Sequence, residues 1–152
     1  MIWERILWAT DFSEPAHAAG RRALTLANWC EATIDVLTVI PPDPGDLPPM
    51  LLSFVGEQGL REAERDLKHE VEAAALEHLT EEAGFLLAAG RQPPLHVRSG
   101  EPADEIVALA TELSTDLIVM GASAHRRVKE LVFGSTLDIV TRRAPCPVLV
   151  VR

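Results

Sequence analysis

Cysteine is scarce in this 152-residue chain, and Cys30 and Cys146 have neither a Cys-x-x-Cys spacing nor a histidine beside them. That argues against a disulfide framework or a cysteine-based metal motif. Positive charge is in deficit, with 14 Lys and Arg against 23 Asp and Glu and a net charge of −9. A nucleic-acid surface needs clustered cations over a large face, so this balance argues against one. It leaves room for a small anion in a locally basic pocket. Long apolar runs are also missing: Met50 to Val55, interrupted by Ser53, falls far short of the roughly 20 residues that cross a bilayer. The opening Met1-Ile2-Trp3-Glu4-Arg5 lacks a basic region followed by an apolar core, so the expectation is a soluble cytoplasmic protein without membrane insertion.

Catalytic signatures are absent as well. There is no Gly-x-x-x-x-Gly-Lys-Ser/Thr loop, no Gly-x-Gly-x-x-Gly, no glycine-framed nucleophile, no Ser-His-Asp arrangement and no recognisable carboxylate pair. The five histidines, His17, His69, His78, His96 and His125, show no metal-ligand spacing and are expected on surfaces or beside polar partners, so no metal held by protein alone is expected.

What the chain does contain is a regular alternation of strand and helix patterns over one domain, residues 1–152. Arg5 to Thr10 reads as a strand, followed by a helix from about Glu14 to Cys30. Its stripe of Ala16, Ala19, Ala23, Leu26, Ala27 and Cys30 permits close packing, with Ser13 as N-cap and Pro15 in the first turn. Ile34 to Ile40 is a second strand. Residues 41–59, with five prolines and three glycines, read as a loop, and Met50 to Val55 reads as a helical turn within it. That loop is either a flap over a ligand or a dimer contact, or else a solvated connector with one hydrophobic anchor. A charged helix from about Gly59 to Glu82 buries Leu60, Ala63, Leu67, Val71, Ala74, Ala75 and Leu79. Whether it runs on through Gly84 to Ala89 stays open. Leu95 to Arg98 is a third strand, and Gly100-Glu101-Pro102 opens a helix that buries Ile106, Leu109, Ala110 and Leu113. Asp116 to Met120 is a doubly covered fourth strand, Ser135 to Arg143 a last helix and Cys146 to Val151 a last strand. Such alternation implies a parallel sheet with right-handed crossovers. Cys30 and Cys146 are expected as buried thiols; both then fall at the bottom of the sheet, where they could be neighbours, with a cytoplasmic setting disfavouring a bond between them.

The segment from Gly121 to Thr136 carries the most chemistry. Gly121 ends the apolar fourth strand, where a glycine allows a tight turn and close ligand approach. Gly134-Ser135-Thr136 opens the last helix, with Ser135 as N-cap and Asp138 as its capping-box partner, so that N–H groups and hydroxyls converge on an anion. His125, Arg126, Arg127 and Lys129 concentrate positive charge between them, either to offset phosphate or as a solvated loop.

This spacing resembles the nucleotide-binding signature of the universal stress protein family: a glycine, two residues, a second glycine, nine residues, then Gly-Ser or Gly-Thr. Gly121 and Gly134-Ser135 match, while Ala124 stands at the second glycine. Where that position needs a left-handed backbone or close phosphate approach, alanine costs on the order of 1 kcal/mol, which weakens binding without excluding it. Ile6 to Glu14 resembles the family's first strand and acidic turn, and Cys146 to Val151 its last strand, so the resemblance spans nearly the whole chain. It implies a three-layer α/β/α sandwich, Rossmann-like and similar to the adenine nucleotide alpha hydrolases, with strand order 3-2-1-4-5. The topological switch between strands one and four would then hold the ligand.

The resemblance implies an adenine nucleotide, ATP or AMP, with Mg²⁺ as a candidate companion ion. Its site would comprise Thr10 and Asp11 after strand one, Val39 through its backbone, Gly121, Ala124 and His125, and Gly134, Ser135 and Thr136. Asp11 would accept from ribose hydroxyls or hold a cation; its alternative role is helix capping, for which Ser13 already serves. Val39 could equally be plain strand core, and Ser135 and Thr136 plain caps. An exposed last strand demands a partner, and the family implies a homodimer through that edge. Three functions compete: a dimeric nucleotide-binding sensor or regulator of partner proteins, a nucleotide-independent interaction module, and a slow Mg²⁺-dependent ATP hydrolase.

Overall fold

Residues along each central strand alternate between two apolar environments, which is what a sheet covered on both faces requires. Ile6 and Trp8, Ile34 and Val36, and Leu117 and Val119 enter one core, while Leu7 and Ala9, Leu37, and Ile118 and Met120 enter the other. A computed structural model describes residues 2–42, 47–52, 64–122 and 135–152. The elements run β1 (Arg5–Ala9), α1 (Glu14–Cys30), β2 (Thr33–Ile40), α2 (Pro49–Leu52), α3 (Glu64–Glu82), α4 (Gly84–Ala88), β3 (Leu95–Ser99), α5 (Pro102–Glu112), β4 (Leu117–Gly121), α6 (Ser135–Arg143) and β5 (Val148–Val151).

The five strands are parallel throughout and ordered β3-β2-β1-β4-β5, as expected. Helices α1, α3 and α4 contribute to the core on one face, α5 and α6 to the core on the other. The fold is therefore the three-layer α/β sandwich. The helical question after Glu82 resolves into a break at Ala83 and a short α4, closed by Gly90 at φ 80°, a left-handed value that suits glycine.

Helix α1 lies very close to the sheet. Ala16, Ala19, Gly20, Ala23 and Ala27 form its buried stripe, and Ser13 caps it by accepting from the Ala16 N–H at 3.3 Å. Beneath them the fully buried Trp8 donates its indole N–H to the Ala16 carbonyl at 2.9 Å and meets Phe85 edge-on at 5.6 Å. A Cβ on Gly20 would lie 2.4 to 2.6 Å from the Trp8 ring, so the indole is accommodated only because position 20 has no side chain.

At the opposite end of the strands from the switch, Asp35 is buried to 1% exposure. It accepts from Arg5 Nε at 2.8 Å and Nη2 at 3.3 Å and from His96 Nε2 at 2.9 Å, tying β1, β2 and β3 together. His96 thus has the polar partner expected of it, as does His17 beside Glu82 at 3.2 Å. The two cysteines correct an expectation: Cys30 packs on the α1 face and Cys146 on the α5 and α6 face, so the sheet separates them. Burial, reinforced by the Asp116 carboxylate, pushes the Cys146 thiol up, which disfavours a reactive thiolate.

Gly20→Ala is expected to destabilise the fold by about 1–3 kcal/mol through overpacking against Trp8. Gly84→Ala, where a Cβ meets nothing within 4 Å, should stabilise by about 0.5–1 kcal/mol in its helix. Urea unfolding of both variants checks the pair, and equal effects would contradict the close seating of α1.

Candidate functional site

The ladder between β1 and β2 ends where the Thr10 N–H donates to the Leu37 carbonyl at 2.8 Å. Past it the chain turns sharply. Thr10 Oγ1 accepts from the Phe12 N–H at 3.0 Å, Asp11 Oδ1 accepts from the Ser13 N–H at 3.0 Å, and Phe12 adopts φ 66°. For a bulky residue that backbone costs roughly 1–2 kcal/mol; the ring is held against the α1-face core and lies 6.1 Å from the His78 ring. Asp11 therefore shapes the turn as well as standing, exposed, at the mouth of the crevice. Thr10 is buried beneath it.

On β2, even-numbered residues bond toward β3, as in Val36 N–H to Pro94 O and Gly100 N–H to Ile40 O. Odd-numbered residues bond toward β1, as in Thr33 N–H to Glu4 O and Thr10 N–H to Leu37 O. Val39 continues the odd series beyond the end of β1. Its N–H and C=O therefore point toward the switch with no partner among the described residues. The side chain itself packs against the α5-face core, so the plain-core reading of Val39 and the main-chain reading hold together.

Gly121 has a packing role beside the ligand approach that its position suggests. A Cβ there would lie 2.3 Å from both Pro15 C and Ala16 N and 2.6 Å from Pro15 O. The missing side chain admits the first turn of α1 against the end of β4, whether or not a ligand approaches. Ser135 is the first residue of α6, one position inside its expected cap place, and the Asp138 carboxylate pairs forward with Arg142 at 3.3 Å. Ala124, His125 and Gly134 lie outside the described residues.

The crevice between these elements leaves about 710 Å³ of empty space, part of it open to solvent. Thr10, Asp11, Val39, Gly121 and Thr136 all line it, so five expected residues from four separate segments converge. Its walls are mostly apolar: Leu37, Met120 and Leu137 from the sheet and α6, Pro102 and Ile106 from α5, and Pro41 and Pro48 from the segment after β2. The flap reading of the 41–59 loop brings that segment to the ligand, but composition alone does not single out Pro41 and Pro48 as its wall. Asp11 is the one ionisable side chain among the described lining residues. No group of three or more His, Cys, Asp or Glu among the described residues could hold a metal ion, and none of their helices is long and apolar enough to cross a membrane.

The model of the Universal stress protein family matches residues 3–152. The chain belongs to the universal stress protein family. A universal stress protein of Thermus aquaticus is 34% identical over 151 residues, covering 99% of this chain and all of that one. Universal stress protein MJ0577 of Methanocaldococcus jannaschii is 28% identical over 156 residues, covering 100% and 96%. The solved structure of MJ0577 superposes with a TM-score of 0.79 at 26% identity over 99% and 96% of the two chains. A universal stress protein from Archaeoglobus fulgidus solved in complex with dAMP shares the fold at a TM-score of 0.58, 23% identical over the full length of both.

Within this universal stress protein fold, Gly121→Ala should lose about 1–3 kcal/mol of stability without any ligand present, since the first turn of α1 must shift. Urea unfolding of the ligand-free variant measures it. Unchanged stability would return Gly121 to a purely ligand-approach role.

Proposed function

We propose that this universal stress protein binds an adenine nucleotide in the switch crevice and acts as a dimeric cytoplasmic regulator whose partner protein responds to nucleotide occupancy. The observation that carries the reading is the N–H and C=O of Val39, which have no partner among the described residues, at an apolar crevice with the Asp11 carboxylate at the same cavity. An adjacent donor and acceptor complement the N1 and N6 edge of adenine, and a carboxylate accepts from ribose hydroxyls. The relative from Archaeoglobus fulgidus held dAMP on the same fold. Phosphates would lie toward the start of α6, where Ser135 and Thr136 occupy the first turn and the helix dipole favours negative charge. Thr10 and Gly121 would frame the crevice. Ala124, His125 and Gly134 would complete the phosphate loop, with Mg²⁺ accompanying ATP.

Calorimetric titration with AMP and with ATP plus Mg²⁺ tests this. Asp11→Asn keeps an acceptor for the Ser13 N–H, so it should retain the fold while weakening binding about tenfold, in line with a charged hydrogen bond of roughly 1.5–3 kcal/mol only partly lost. Gly134→Val should abolish binding. Undiminished affinity in both variants would end the reading. One residue favours the second reading, a nucleotide-independent dimeric module: Ala124 at the second glycine position. It predicts no binding until Ala124→Gly restores it.

The dimer reading rests on the contrast between the two sheet edges. Pro93 and Pro94 precede β3, and its Arg98 pairs with Glu112 and Glu105, devices that discourage strand addition. β5 offers Val148 to Val151, half-buried and uncharged. Because the Pro147 and Val151 carbonyls accept from β4, the Val148 and Val150 main chains point outward. Val150→Pro removes one outward donor, so sedimentation velocity should show the native dimer become a monomer. A dimer unaffected by that change uses another surface.

A further inference from the structure

Consecutive residues after β2 divide between two environments. Pro48 lines the crevice, as does Pro41, while Leu47 and Leu51 are buried at 7% and 1% exposure in a small core with Val71, Ala74 and Ala75 of α3. That core is distinct from the two that cover the sheet. The Leu51 N–H donates to the Pro48 carbonyl at 2.9 Å, so the leucine that anchors the segment also holds the proline. A proline cannot rotate about φ to follow a ligand, which makes this wall move with its anchors or not at all. At four residues, α2 is far too short to be stable alone, so its position comes from this seating on α3.

We infer that Leu47 and Leu51, without touching the ligand, are positioning residues that set the width of the base-binding part of the crevice and so its preference for a purine over a pyrimidine. The inference rests on the nucleotide reading above. Two fused rings offer more apolar surface than one, but the surplus counts only when the wall stands at contact distance. A gap of about 0.5–1 Å already forfeits a quarter to a half of each dispersion contact. The 41–59 segment is then neither a solvated connector nor a free flap where it meets the crevice; at Leu47 and Leu51 it is clamped.

The test compares affinities for AMP, CMP and dAMP by calorimetry in the native chain, Leu51→Ala, Val71→Ala and Leu51→Met. Val71→Ala removes the seat from the α3 side and reads the same wall if Leu51→Ala does not fold. The native chain should prefer AMP to CMP. Leu51→Ala and Val71→Ala should lose on the order of tenfold of that preference, the scale at which pocket shape discriminates, and Leu51→Met should keep it. The AMP-to-dAMP ratio, read at the ribose, should stay constant in all four. Equal weakening of AMP and CMP would show the anchors to be merely structural and overturn the inference. So would a native chain that binds AMP and CMP alike, with the nucleotide reading left standing. A native chain that binds none of the three, nor ATP with Mg²⁺, overturns both.

Discussion

The contact on which the rest of the structure depends is the flush seating of α1 against β1 and β4. It is made by omission: Gly20 leaves room for the Trp8 ring, Gly121 leaves room for the Pro15–Ala16 peptide, and the alanines between them keep the helix down along its length. The Trp8 indole N–H, which would otherwise be a buried orphan, is satisfied by the Ala16 carbonyl in the first turn of the same helix. Burying a polar group without such a partner costs about 1–3 kcal/mol. One side chain therefore fills the central core and sets the height at which α1 begins. The turn from Thr10 to Ser13, with Phe12 held in a left-handed conformation, has to bridge from the end of β1 to that point. The location of Asp11 is a consequence of how closely a helix can approach a tryptophan.

The crevice that results is chemically lopsided. Its described walls are apolar and carry a single carboxylate in a chain already at net −9, an unpromising setting for polyphosphate and a suitable one for a base and a sugar. Discrimination near β2 would fall to main-chain groups and to the proline wall, and affinity for phosphate to the first turn of α6 and the residues just before it. Such a division separates the determinants of which base is held from the determinants of how much phosphate is tolerated. A change in one would then leave the other intact.

How much of this was legible follows from the kind of interaction involved. The doubly covered strands announce themselves as apolar runs, and the α1 cap and stripe are local patterns, so these elements were read nearly to the residue. Strand order came through family resemblance, since no local pattern encodes it. The same resemblance assembled Thr10, Asp11, Val39, Gly121 and Thr136, which do share one cavity. What escaped was long-range. Gly121 reads as a required glycine from its place at the end of a strand, but its second role, admitting α1, has no local signal because those atoms lie over a hundred positions away in sequence. Asp35, an acid inside the apolar run Ile34 to Ile40, carries no local sign that its burial between Arg5 and His96 joins three strands. The two cysteines share a place at the bottom of the sheet and so could be neighbours, but a sheet has two faces and sequence position alone does not choose between them.

The proline-rich segment shows the same limit from the other side. Composition marked residues 41–59 as irregular, and irregular chain is ordinarily taken as mobile. Irregularity describes the absence of a repeating backbone pattern, however, and says nothing about anchoring. Here two leucines set four positions apart place their side chains in a core of α3 residues, and a single hydrogen bond transmits that fixation to Pro48. Proline at a cavity wall then has a physical advantage over a residue of similar size: its φ is already restricted in the unfolded chain, so holding it in place sacrifices less conformational freedom. A rigid apolar wall built this way needs no regular secondary structure, only a seat, and α3 supplies the seat from the opposite side of the sheet from α5, whose Pro102 and Ile106 line the same crevice.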